Sequence, residues 1–114
     1  MAEGIFSLDL EGKLTFINPA GCRLLGYQVA ELVGQAAHLK LHHTHADGSP
    51  YRHEECPMTL TMLDNQPRSI DHDVIWRKDG TPIEISYRTL PLFDHAGHCS
   101  GSVIAFNPVI KQEG

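Results

Sequence analysis

Apolar and polar positions alternate at both ends of this chain, and the middle breaks that rhythm. Phe6, Leu8 and Leu10 alternate with Ile5, Ser7 and Asp9, then Glu11-Gly12 makes a turn. Leu14-Thr15-Phe16-Ile17 resumes the period of two, which predicts a β-hairpin. Asn18-Pro19 stops it, because Pro cannot extend a sheet ladder. Pro19 suits a first helical turn, Cys22, Leu24 and Leu25 give an apolar side, and Gly26 closes the helix. Val29, Leu32 and Val33 mark a second short helix that Gly34 closes. Residues 38–53 carry no period and contain the turn signal Asp47-Gly48-Ser49-Pro50. A further helix is predicted from Glu55-Cys56-Pro57 to Asn65-Gln66-Pro67, with Met58 and Met62 four apart on one face.

From residue 68 the pattern is β again. Ile70, His72, Val74 and Trp76 fall on one side of a strand, and Arg77-Lys78-Asp79-Gly80 makes a turn. Ile83, Ile85, Tyr87 and Thr89 alternate against Glu84, Ser86 and Arg88, the signature of a half-buried strand. Asp94-His95-Ala96-Gly97 turns the chain once more, and Ser102–Phe106 is the last strand. Strands gathered at both ends with helices between them predict an α+β fold, one sheet with helices on one face.

Composition narrows the function classes. With 114 residues, 41% of them hydrophobic, the chain reads as one domain over 1–114 with a real core. A formal charge of −5 and scattered Lys and Arg argue against nucleic acid as a partner. No apolar run approaches the roughly 18 residues of a membrane span, and the N-terminal stretch lacks the basic start of a signal peptide. Three widely spaced cysteines, Cys22, Cys56 and Cys99, predict reduced thiols and a cytoplasmic setting rather than a disulfide framework.

The order of these elements, with the residues in place, resembles the PAS domain family. GIFSLDLEGKLTFINPAGCRLLGY, residues 4–27, is similar to the family's opening hairpin and Asn-Pro-Ala helix start. VAELVGQ, 29–35, is similar to its short second helix, and WRKDGTPIEI, 76–85, to its Lys-Asp-Gly hairpin. HHTHADGSPYRHEECPM resembles a loop of some bacterial PAS modules, in which an Asp-Gly-x-Pro-Tyr turn runs into Cys-Pro at the start of a helix. The resemblance implies a five-stranded antiparallel sheet with a ligand pocket between its inner face and the helices. It also implies a non-catalytic sensory or dimerisation module, regulating an attached effector such as a histidine kinase or transcription regulator. One departure stands out: Phe106-Asn107-Pro108-Val109-Ile110 puts Pro where many members carry an acidic residue before their signalling helix.

The chemistry concentrates in one stretch. Residues 38–58 hold five of the eight histidines, His38, His42, His43, His45 and His53, together with Cys56. No nucleophile elbow, phosphate loop or dinucleotide fingerprint is present, so no enzymatic activity is expected. His42-x2-His45 and His53-x2-Cys56 make two ligand pairs suited to Zn²⁺, the alternative to a plain polar loop. Haem is the other alternative, but the predicted helix after Cys56 has no His and there is no C-x-x-C-H. Flavin photochemistry is not expected, because Cys22 sits on the first helix whereas light-sensing relatives carry their Cys on a later one. By alternation, Phe16, Met58, Met62, Trp76, Ile85, Tyr87 and Val103 are expected to face a small-molecule pocket, with His53 at its edge. His72 reads as a satisfied sheet histidine. The His-rich loop would then cover the entrance, where imidazole titration could couple occupancy to pH. A homodimer and an effector domain are the expected protein partners.

Overall fold

In a computed structural model, residues 3–45 and 47–109 are described, the side chain of His53 excepted. Five strands form one antiparallel sheet: β1 (Gly4–Asp9), β2 (Leu14–Ile17), β3 (Arg68–Trp76), β4 (Pro82–Phe93) and β5 (Cys99–Pro108), in the order β2-β1-β5-β4-β3. Four short helices fill the gap between β2 and β3: α1 (Pro19–Leu25), α2 (Val29–Leu32), α3 (Ala37–Leu41) and α4 (Pro57–Asp64). A 3₁₀ turn, His53–Glu55, precedes α4.

Phe6 and Leu8 of β1, Ile85 and Tyr87 of β4, and Ile104 and Phe106 of β5 are all buried, and they pack under Leu25, Leu32, Leu41 and Met58 from the helices. Phe6 and Phe106 meet edge to face at 5.8 Å. Gly4 makes room for that contact, since a Cβ there would come within 2.5 Å of the Phe106 ring.

Polar devices set the helical layer on the sheet. Asn18 caps α1 by accepting the Gly21 amide at 2.8 Å; its Oδ1 also accepts the Ile5 amide at 3.0 Å, and its Nδ2 donates to Glu3 O at 2.9 Å. One side chain thus joins β1 to α1. The Lys78 amide donates to Leu25 O and Arg77 Nε donates to Leu24 O, which fixes the β3–β4 turn to the end of α1. The α2–α3 link pairs with β2 through Leu14 N to Gln35 O and Gly34 N to Leu14 O, and Ala37 N donates to Gly12 O. These bonds bring α3 beside the β1–β2 turn.

Helix α3 is one departure from the sequence pattern. It runs from Ala37 into residues 38–53, which show no period, because five residues are barely one turn. Its stability comes from burying Ala37 and Leu41 rather than from propensity. The other departures are irregular pairings. The register shifts between Ser7 and Leu8 of β1, and again between Ile70 and Asp73 of β3. A one-residue bulge moves every following side chain to the opposite face.

Candidate functional site

The bulge in β3 builds the site. Ile70 pairs with Tyr87 and Asp73 with Ile85, so three steps on β3 match two on β4. Asp73 and Ile75 thereby share the side of the buried Ile85 and Ile83, while His72 is exposed, 3.5 Å from Glu84. Asp73 Oδ2 accepts three hydrogen bonds: from His42 Nε2 at 2.9 Å, Tyr87 OH at 3.2 Å and Tyr51 OH at 3.3 Å. Its Oδ1 accepts the Val74 amide at 2.8 Å. His42 sits at the C-terminal cap of α3 and is 1% exposed. Its Nδ1 lies 3.2 Å from Sγ of Cys56, the equally buried residue that caps α4. One chain of contacts therefore runs from α4 through Cys56, His42 and Asp73 to β3 and β4.

The charges in this network hold one another. Burial disfavours a charged His42, but its bonds to Asp73 and Cys56 outweigh that and push its pKa up to about 9. Burial works against ionised Asp73 as well, yet His42 holds the carboxyl below its ordinary value. Burial, with the Asp73 charge beside them, drives the phenols of Tyr51 and Tyr87 well above the usual range, so both remain donors.

The His-rich loop packs through its rings. His45 stacks on Tyr51 at 4.0 Å, and Tyr51 leans on His42 at the same distance. His43 stacks on Trp76 at 5.6 Å, and Trp76 Nε1 donates to Thr44 O at 2.8 Å. The amides of His45 and Tyr51 donate to Ser49 O and His43 O, which makes the loop a small hairpin pinned to the edge of β3.

A cavity of about 240 Å³ opens beside the network. Leu8, Ala36, Leu39, Met58 and Met62 form its apolar wall; Cys56, His38, Thr59 and Glu11 contribute its polar groups. The structure brings Met58 and Met62 to this cavity. Ile85 and Tyr87 are buried in the core next to it, Tyr87 serving Asp73.

Three expected pocket residues lie elsewhere. Phe16 is 50% exposed and pairs with Ser7 on the outer face, because one step on β1 from Ser7 to Leu8 matches two on β2 from Phe16 to Leu14, and that extra residue in β2 lets Leu14 and Ile17 both turn inward. Val103 also pairs with Ser7, across from Leu90, since the inward phase of β5 belongs to Ser102, Ile104 and Phe106. Trp76 anchors the loop instead of lining the cavity, because the β3 bulge changes its side. The side chain of His53 lies outside the described residues. Of the zinc set read from the sequence, His42 and Cys56 meet, but His45 is taken up by Tyr51.

The family model for the PAS fold matches residues 1–109. The chain belongs to the PAS family. A PAS domain from Colwellia psychrerythraea superposes with a TM-score of 0.76 at 18% identity, over 94% of this chain and 86% of that one. Two curated relatives are similar in sequence. One is the probable diguanylate cyclase DgcE of Escherichia coli (strain K12), 26% identical over 97% of this chain and 10% of that protein. The other is the C4-dicarboxylate transport sensor protein DctS of Rhodobacter capsulatus, 26% identical over 86% of this chain and 14% of that protein. This PAS domain thus spans a small fraction of either relative. Among the described residues, no helix is long and apolar enough to cross a membrane.

Asp73 carries no mark of a site residue in the sequence, and His38 stands out there only as one of the clustered histidines. Asp73 was hidden by the bulge, which a strict period of two cannot show. The pairing of His38 with His42 depends on α3, and the i, i+4 spacing was the one available signal for it.

Proposed function

We propose that this PAS domain is a sensory module that binds a small, largely apolar organic molecule and passes the event to an attached effector. The observation that carries this reading is the cavity beside α3 and α4, whose wall includes Cys56. At about 240 Å³ it is smaller than the roughly 300–1,000 Å³ usual for drug-sized ligands. Its occupant is therefore a compact molecule with an apolar body and one polar group for His38 or Thr59. Occupancy bears on Cys56, and the His42–Asp73 bond carries that strain from the helices into β3 and β4. The result is a shift in population between two sheet arrangements rather than a chemical step. The effector is of the kind the relatives' names suggest, a nucleotide cyclase or a sensor kinase. Two copies of the domain pair through the outer sheet face.

The test is to fill the cavity. Met62→Trp places a ring where the ligand sits. Native mass spectrometry of the wild-type chain is expected to show a copurified small molecule that the variant lacks, with the variant's melting temperature unchanged or raised. A variant that retains the molecule would refute the site.

A further inference from the structure

Helix α3 places His38 and His42 four residues apart, so both rings share one side of a single turn. Cys56 meets them there: one ring nitrogen from each histidine and the Cys56 Sγ all lie within 4.8 Å of one another. Oxygen partners fix how the rings are presented. Asp73 Oδ2 accepts from two phenols and from His42 Nε2–H, which turns His42 Nδ1 toward Cys56 Sγ at 3.2 Å. The Tyr51 carbonyl can only accept, so His38 donates its Nε2–H there at 2.6 Å, and the neutral ring carries its lone pair on Nδ1. A carboxylate behind one imidazole and a backbone carbonyl behind the other are the outer partners that metal-ligating histidines have. Two neutral imidazoles and a thiolate suit borderline-soft ions of the zinc type, so metal binding releases the Nδ1 proton that the charged His42 carries in the metal-free chain.

We infer that His38, His42 and Cys56 form a site for one Zn²⁺-class ion, supported by Asp73 and the Tyr51 carbonyl. His38 and Cys56 both line the cavity as well. Tetrahedral zinc with bonds of about 2.0–2.3 Å spaces its ligands by roughly 3.3–3.6 Å. The His42–Cys56 pair nearly has that spacing, and the other pairs, within 4.8 Å, close by no more than about 1.5 Å. The site stands whether or not the cavity holds an organic ligand, and its test reads the metal alone.

Chelator-treated wild-type chain is titrated with Co²⁺ and then Zn²⁺. The expected result is one ion per chain with a thiolate-to-cobalt charge-transfer band, which Zn²⁺ abolishes by displacement. Cys56→Ser and His38→Gln, checked for fold by circular dichroism, are expected to lose the band, whereas His45→Gln keeps it. Asp73→Asn is expected to weaken binding by about 10–100-fold, the range for outer-sphere partners. No band in the folded wild-type chain overturns the inference. So does a band that survives Cys56→Ser, or one that depends on His45 and not on His38.

Discussion

His42 shows how one residue can be buried and charged at once. Asp73 and Cys56 face it from β3 and from the start of α4, with Tyr51 beside its ring and Tyr87 and His38 nearby. Its pKa is raised from 6.5 to about 9, so the imidazolium's contribution is fully present below the lower value and lost as pH rises through the higher one. The lowered pKa of Asp73 gives a contribution present above the ordinary carboxylate value and lost as pH falls through the lowered one. Urea unfolding of the chelator-treated chain is therefore expected to be hardest between these limits and to ease on the alkaline side. His42→Gln is expected to flatten that alkaline limb. An alkaline limb identical in wild type and His42→Gln would mean that another group controls it. Nothing in the sequence marked Asp73 as the partner, because it lies 31 residues from His42 and on the side of β3 that strict alternation assigns to solvent.

At the scale of elements, short helices and irregular strands rely on a few polar contacts for their placement. Asn18 serves a strand, a helix and the chain before β1 with one amide. Asn18→Ala is expected to cost about 1–2 kcal/mol for the lost cap and the stranded Ile5 amide, read as a lower denaturant midpoint. Trp76 has the matching role for the His-rich loop. Trp76→Phe keeps the ring against His43 but loses the donor to Thr44 O, at a cost of about 1 kcal/mol. Its mark is faster hydrogen exchange at the His45 and Tyr51 amides while the core stays protected. The hairpin, α1, α2, α4 and the three C-terminal strands were legible because each announces itself by period, Pro, Gly or a turn dipeptide. Helix α3 and the two register shifts were not, because one helical turn and one extra residue leave no periodic trace.

For the molecule as a whole, the sheet has one face under the helices and one bare. Phe16, Val103 and Leu90 fall in one cross-strand row on the bare face, linked through Ser7. In the proposed dimer this row is the contact. Leu90→Glu is then expected to give monomers in sedimentation velocity, with folding free energy changed by only about 0.5 kcal/mol because Leu90 is already 43% exposed. A chain that sediments identically with and without the substitution removes this face from the interface.

The sequence by itself determined the family, the five strands, helices α1, α2 and α4, and the inward registers of β1 and β4, because hydrophobic period and turn chemistry act over a few neighbouring residues. It also singled out the stretch that carries His42 and Cys56. Tertiary structure alone decided which groups of that stretch meet. Asp73 turns inward only through a bulge defined by pairing with β4. His38 joins His42 only once α3 is held by β2 and the core. Phe16 and Val103 face outward because register is a property of paired strands, and no single strand's pattern contains it.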